Sequence, residues 1–176
     1  MRLETTLDMT SYWLQGLLAT ESEIEHTAMS AENWVASEEL AKEMDAAALR
    51  SVGRATRLRH IVRTLGINES ELPSVASHPV SASSQVVSID SEDMAMDLAA
   101  VSHIRRLLGS AAQLYSDVAT HTGTWSLDHI CAAASQIADE VDEEFQMLGQ
   151  ISRTIGEAFR SESDGEGRPT AFGSMG

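Results

Sequence analysis

The sequence predicts an all-α four-helix bundle, and three observations lead to this fold class. Apolar residues recur with the period of an α-helix in four separate stretches of the chain. The only prolines are Pro73, Pro79 and Pro169, so two long stretches contain no helix breaker. The two halves of the chain also align without a gap at an offset of 90 residues. Together these patterns predict one helical hairpin present in two copies.

The first hairpin is predicted at about residues 10–66. Its first helix, over about 10–33, has an apolar stripe made of Leu14, Leu17, Leu18, Ile24 and Ala28. Its second helix, over about 38–66, begins after Ser37, a favourable N-cap, and ends at Gly66, a favourable C-cap. The stripe of this helix contains Leu40, Met44, Ala47, Ala55, Leu58, Ile61, Val62 and Leu65.

The second hairpin is predicted at about residues 92–160, with helices over about 92–121 and 126–160. The stripe of the third helix contains Ile104, Leu107, Leu108, Leu114 and Val118. The stripe of the fourth contains Ile130, Ala134, Ile137, Val141, Phe145, Leu148, Ile151 and Ile155. The bundle thus covers residues 1–160, and the acidic Gly/Ser tail at 161–176 has too few bulky residues to fold and is predicted to be disordered.

A long crossover between the second and third helices is predicted at residues 67–91, a Ser-rich segment that contains Pro73 and Pro79. The repeat supports this division, because RHIVRTLG at 59–66 aligns with GQISRTIG at 149–156 at the same offset that aligns the first and third helices. Two amphipathic helices can always be aligned, but here one offset serves both helices of each hairpin. Short hairpin turns joined by a long crossover give a specific bundle topology.

The segment LLATESEIEHTAMSAENWVASEELAKEM, followed by RLRHIVRTLGI, resembles the ferritin-like superfamily. It is most similar to small bacterial stress-associated ferritin-like proteins and, more distantly, to rubrerythrins and encapsulated ferritins. The resemblance covers about residues 10–160 and implies a ferritin-like bundle. It also implies a di-iron site built from one carboxylate on each of two helices and a Glu-x-x-His pair on each of the other two.

Carried over position by position, the resemblance implies that this site is lost. Glu21 stands where the first carboxylate is expected, but the following pair positions hold Ser51 and Arg54. The matching positions of the second half are Ala111, and then Val141 and Glu144. A dinuclear metal site needs oxygen or imidazole donors, and an arginine among them repels the metal.

Glu21, Arg54 and Glu144 are predicted to form a polar centre inside the bundle. Each lies on or beside an apolar stripe, where an unpaired charge is costly. If the second and fourth helices run antiparallel, Arg54 becomes the counter-charge of both acids. In the alternative, the helices are rotated so that these side chains are solvated at the rim.

Two sets of residues are alternative candidates for binding iron or another divalent metal. One is a non-standard carboxylate site made of Glu21, Glu25, Glu140 and Glu144. The other is a group near the second hairpin turn, where Asp117 and His121 are four residues apart and Asp128 and His129 follow the turn. Charge runs on helices are more often solvated faces, so neither set is the leading interpretation.

Composition narrows the cellular locations and the classes of partner that we expect for this protein. The net charge of −15 argues against nucleic acid and repels anionic membranes. Cys131 is the single cysteine, so no intramolecular disulfide forms, and with no signal peptide or membrane span evident we expect a cytoplasmic protein. The tail sequence TAFGSMG resembles the C-terminal peptides that direct ferritin-like cargo into encapsulin shells, although a plain tail is the simpler interpretation.

These patterns favour a non-enzymatic, ferritin-like bundle that forms homo-oligomers and serves a structural, stress-related or partner-binding role without a cofactor. The competing hypothesis is iron storage or oxidation at a non-standard carboxylate site, with encapsulin cargo as one form of it. No phosphate-binding loop, nucleophile elbow or catalytic Cys–His–acid pattern is present in the sequence.

Overall fold

The computed structural model describes residues 6–67 and 92–166 and contains four α-helices. Their bounds are α1 Thr6–Glu32, α2 Glu38–Thr64, α3 Glu92–Thr124 and α4 Asp128–Glu166. No strand occurs in the described part of the chain, and each helix overlaps its predicted range. The predicted all-α four-helix fold class is therefore confirmed.

Helix α2 begins and ends at the residues that the sequence indicated. The side chain of Ser37 accepts a hydrogen bond from the backbone N–H of Leu40, and Glu38 and Glu39 lie in the first turn, where negative charge is favourable. At the other end, Gly66 adopts a φ of 71°. The backbone N–H of Ile67 then donates to the carbonyl oxygen of Val62 at 3.2 Å, which closes a Schellman motif.

The turn between α3 and α4 uses the same motif without a glycine. Ser126 has a φ of 58°, in the left-handed region that L-residues adopt at a cost. The N–H of Leu127 donates to the carbonyl oxygen of Thr122 at 2.9 Å, and that of Ser126 donates to Gly123 at 3.2 Å. The reversal here is therefore sharp enough for α3 and α4 to pack as neighbours.

Two contacts at opposite ends of the bundle determine how the hairpins are arranged. At one end, Asp97 near the start of α3 accepts hydrogen bonds from the backbone N–H groups of Ala36 (2.7 Å) and Ser37 (3.3 Å) in the α1–α2 turn. At the other, Trp13 of α1 stacks on Trp125 beyond the end of α3, with ring centroids 5.6 Å apart. Helices α1 and α3 are therefore antiparallel, and α3 begins at the end opposite to where α2 finishes.

The end of α2 and the start of α3, which the predicted crossover joins, thus lie at opposite ends of the bundle. The structure leaves the path of most of that segment, residues 68–91, outside the described residues. None of the helices in the two described ranges combines the length and apolar character needed to cross a bilayer.

A continuous apolar core runs through all four helices and joins the two hairpins. Its fully buried side chains include Leu14, Leu17, Ile24, Met44, Leu58, Ile104, Leu108, Ile130, Ile137 and Leu148. These residues belong to the stripes that the sequence predicted, so burial follows the helical period.

Helix α4 extends beyond its predicted end. We expected it to stop near residue 160, but it continues to Glu166 and passes through Gly156. The physical reason lies in the next residue: Ile67 after Gly66 packs against the core, whereas Glu157 after Gly156 is exposed and has no apolar surface to bury. Residues 161–166, which we predicted to belong to the disordered tail, are therefore helical. The rest of the predicted tail, residues 167–176, lies outside the described residues.

Candidate functional site

A buried ion-pair network occupies the middle of the bundle. The Nε of Arg54 donates to Oε1 and Oε2 of Glu21 at 2.9 and 3.0 Å, and its Nη1 donates to Oε2 of Glu144 at 2.7 Å. The three side chains are 2%, 0% and 3% exposed, respectively. The structure thus brings together Glu21, Arg54 and Glu144 inside the bundle rather than at its solvated rim.

The helical period explains why these charges are buried. Glu21 continues the α1 stripe, four residues after Leu17 and three before Ile24, both fully buried. Helices α2 and α4 run antiparallel, and Arg54 and Glu144 each lie near the middle of their helix. The two long side chains therefore meet at mid-height.

Two neutral side chains complete the hydrogen bonding of Glu21. The hydroxyl of Tyr115 donates to Oε1 at 2.7 Å. The Oγ of Ser51 lies 2.5 Å from the backbone carbonyl oxygen of Glu21 and 2.8 Å from its Oε2, and its single proton can go to only one of them at a time. Since Tyr115 and Ser51 are themselves fully buried, Glu21 has donors around it and no contact with solvent.

From this centre the network continues to the surface between α2 and α4. Arg50 donates to Glu43, and its Nη2 lies 3.1 Å from Oε1 of Glu144. Arg57 makes a two-point contact with Glu140. A groove of about 640 Å³ lies here, and its walls are formed by Arg50, Gly53, Arg54, Arg57, Glu140, Glu143, Glu144 and Met147.

Three buried polar atoms of this network have no hydrogen-bond partner within residues 6–67 and 92–166. They are Nε of Arg50, Nη2 of Arg54 and Oε1 of Glu144. The last of these lies within ion-pair distance of Arg50, but the geometry of that contact is not that of a hydrogen bond. Charge attraction therefore stabilises Glu144 there, while its hydrogen-bonding capacity stays incompletely used.

Burial and neighbouring charges shift the pKa values of Arg54 and Tyr115 in this network. Burial lowers the pKa of Arg54, but the Glu21 and Glu144 carboxylates outweigh it and raise that pKa above its ordinary value. Burial and the Glu21 carboxylate both raise the pKa of Tyr115 well above its ordinary range. Arg54 therefore remains a cation and Tyr115 a neutral donor at any physiological pH.

The donor set at this centre does not fit a dinuclear metal site. The Glu21 and Glu144 carboxylates are bonded to the Arg54 guanidinium, so a metal ion placed between them would meet a permanent positive charge. Ala111 and Val141, at two other positions implied by the resemblance, are buried apolar residues. Across residues 6–67 and 92–166, no three His, Cys, Asp or Glu side chains converge in an arrangement that could hold a metal ion.

The alternative metal-binding residues are spread over the bundle. Glu140 forms an ion pair with Arg57, and Glu25 is partly exposed on α1. Asp117 is exposed and accepts a hydrogen bond from Gln113. The structure therefore does not assemble Glu21, Glu25, Glu140 and Glu144 into one carboxylate site.

The second alternative set is also separated. The ring of His121 packs against Trp13 at 4.5 Å and against Trp125 at 6.0 Å between centroids. His129 is exposed in the first turn of α4. Aromatic packing, not a shared ligand, accounts for the position of His121.

Sequence reasoning missed two buried residues that organise the molecule. Tyr115 follows Ala111 by four residues on the α3 stripe, and that spacing places it opposite Glu21. Asp97 precedes the same stripe and is 5% exposed, yet it anchors the α1–α2 turn. Both residues could have been found from the sequence, because each is a polar residue at a position that the helical period assigns to the core.

Comparison with known proteins provides information on the fold. No protein-family model matches the chain, and no curated protein matches it. Among solved structures, the chain is similar to the crystal structure of a protein from Xanthomonas campestris pv. campestris, with a TM-score of 0.69 and 13% sequence identity. The match covers 89% of this chain and 96% of that one. At this identity, the similarity concerns the fold alone.

Proposed function

We propose that this chain is a non-enzymatic ferritin-like bundle of the cytoplasm, which forms homo-oligomers and serves a structural, stress-related or partner-binding role. One observation carries the proposal: the guanidinium of Arg54 lies between the Glu21 and Glu144 carboxylates, where the resemblance implies a metal centre. The ion pair holds α1, α2 and α4 together at mid-height, so the polar centre has a structural use without a metal.

Electrostatics supports this assignment over a metal site. Two carboxylates that face each other inside a protein need a positive charge between them, and either a metal ion or an arginine supplies it. Because the pKa of Arg54 is raised by Glu21 and Glu144, the arginine does not become neutral to admit a metal. The net charge of −15 also disfavours nucleic acid as a partner, so we propose a protein partner.

Metal analysis of protein purified without chelator tests the proposal. We expect no stoichiometric iron or zinc by mass spectrometry, before or after incubation with Fe(II). A Ser51→Glu, Arg54→His variant is the positive control, because it restores a Glu-x-x-His pair on α2, and we expect it to take up more metal than the wild type. Two irons per wild-type chain, with Glu21 and Glu144 among their ligands, would overturn the proposal in favour of iron storage or oxidation.

The C-terminal tail is a second place where a protein partner is proposed, since its last residues resemble encapsulin-targeting peptides. Deleting residues 167–176 should leave the thermal unfolding of the bundle unchanged, because the apolar core seen in the described residues runs from Leu14 to Leu148. Loss of co-purification with a shell protein after this deletion would assign the chain as encapsulated cargo. Retention of every partner would leave the tail without a targeting role.

A further inference from the structure

The face formed by α2 and α4 contains a glycine that none of its neighbours in the described part of the chain requires. Gly53 lies in the middle of α2, is exposed, and a Cβ added there would meet no atom within 4 Å. Its φ is not in the left-handed region. A glycine in a helix interior is less stable than an alanine, so its presence here favours a close approach by a group that lies outside residues 6–67 and 92–166.

The same face carries charges of opposite sign on its two helices. Arg50 and Arg57 of α2 and Glu140 and Glu143 of α4 have exposed or partly exposed side chains, and the buried Arg54–Glu144 pair lies between them. The pairs Arg57–Glu140 and Arg54–Glu144 show that each arginine lies at the height of an acid on the antiparallel neighbour. The face is therefore positive along one edge and negative along the other.

We propose that the α2–α4 face binds a second copy of this chain, with the two copies related by a two-fold axis parallel to the helices. This inference rests on the homo-oligomer of the proposed function and specifies its interface. Such an axis places the α2 helix of each copy over the α4 helix of the other and keeps their heights. The arginines of one copy then meet the acids of its partner, so the surface is complementary to itself.

A two-fold axis perpendicular to the helices would give the opposite result. It would place α2 over α2, so that arginines face arginines and acids face acids, which is repulsive. Charge complementarity therefore selects the parallel axis.

One further feature of the face fits a contact between copies. The Nη2 of Arg54 and the Oε1 of Glu144, which have no hydrogen-bond partner among the described residues, lie at this groove, where groups or waters trapped by a partner copy can satisfy them.

The first test is a bulky, uncharged helix former at the glycine. Gly53→Gln should weaken self-association by about tenfold or more in dissociation constant, while the thermal stability of the single chain stays equal or rises. The matched control is Gly156→Gln, which also meets no neighbour within 4 Å. Gly156 shares the helix face of Gly149, which packs against Arg105 of α3, so the control should leave self-association unchanged.

The second test exchanges charges between copies. Arg57→Glu places a glutamate opposite Glu140 of the partner copy, and Glu140→Arg places an arginine opposite Arg57 of the partner copy. Each variant alone should therefore associate less than the wild type in analytical ultracentrifugation. A mixture of the two should form a one-to-one heterodimer, because glutamates at these two positions then meet arginines. Circular dichroism checks that each variant is folded.

The outcomes separate this inference from the proposed function. A wild type that is monomeric at high concentration overturns both the interface and the proposed homo-oligomer. A wild-type oligomer that Gly53→Gln and both charge variants leave intact overturns only the α2–α4 interface. Weakening by Gly53→Gln, together with rescue in the mixture of charge variants, supports it.

Discussion

The two hairpins share one apolar frame but differ in what they place at its centre. Leu14 and Ile104, or Leu40 and Ile130, are equivalent at the offset of 90 and are all buried. At the middle of the frame, Glu21 corresponds to the apolar Ala111. Ser51 corresponds in the same way to Val141, so hairpin α1–α2 contributes most of the polar centre and hairpin α3–α4 most of the apolar packing around it.

The pair Arg54–Glu144 shows the physical consequence of this difference between the hairpins. They are equivalent positions of the repeat, and because α2 and α4 run antiparallel they meet at 2.7 Å. Identical residues would bring like charges together and would require a counter-ion between them. Opposite charges pair directly. A difference between the two copies of the repeat thus provides the neutralisation that a symmetric acidic site obtains from a metal.

The largest effect on stability is expected from removing the positive charge of Arg54, whose equivalent in the second hairpin is the acid Glu144. Arg54→Ala leaves Glu21 without its cation in a fully buried position, and we expect the free energy of unfolding to fall by about 3 kcal/mol. Urea denaturation measures this change. A double-mutant cycle with Glu144→Ala should show strong coupling, because the two side chains share a hydrogen bond.

The control for this prediction replaces the whole buried ion pair. A Glu21→Leu, Arg54→Met, Glu144→Leu variant leaves no lone charge in the core, so it should be far less destabilised than Arg54→Ala and can equal the wild type in stability. If Arg54→Ala and Glu144→Ala are each nearly neutral and additive, the charges are solvated, and the account of an arginine in place of a metal is wrong.

Substitutions at the two equivalent glycines should have opposite signs. Gly66 has a φ of 71° at the end of α2, so Gly66→Ala should destabilise the bundle by about 1 kcal/mol. Gly156 lies within α4 with open space around it, so Gly156→Ala should stabilise by about 0.5–1 kcal/mol. Thermal unfolding of the two variants measures both. Equal signs would show that the two glycines have the same role.

The smallest effect on stability is expected for the ion pair between Arg57 and Glu140 at the groove. Glu140 and its equivalent in the repeat, Arg50, also carry opposite charges. The hydrogen bond from Arg57 lowers the pKa of Glu140 below its ordinary value of 4.5, and burial opposes it. A carboxyl with a lowered folded-state pKa stabilises the fold above pH 4.5, and this contribution is lost as the pH falls through the lowered value. Both side chains are more than one-third exposed, so the contribution is at most about 1 kcal/mol.

Arg57→Gln tests this pH dependence. Near neutral pH, the variant should be slightly less stable than the wild type, and the difference should shrink as the pH falls below 4.5. Titration of Glu140 followed by NMR should show its pKa rising towards the ordinary value in the variant. A difference in stability that stays constant down to acid pH would assign the effect of Arg57 to packing instead of charge.

Much of the fold follows from the sequence, because helical period and end signals are local properties. The stripes identified the core residues, and Ser37 and Gly66 marked the ends of α2. At Gly156 the same signal gave a wrong prediction of the helix end, since a glycine ends a helix only where the next residue can pack against the core. The turn at Ser126 carried no signal either, because the left-handed conformation of a serine is imposed by the hairpin around it.

The sequence by itself placed Glu21, Arg54 and Glu144 on or beside the apolar stripes, since the period of 3.6 residues fixes the helix face of each side chain, but it left their burial open. Only the tertiary structure decided how the charges are matched. Tyr115 donates to Glu21, and Arg54, not Arg50, bridges the two buried acids. Such pairing depends on the relative height and rotation of four helices. The sequence determines which helix faces can pack together. Core packing determines the height at which each side chain lies along its helix face.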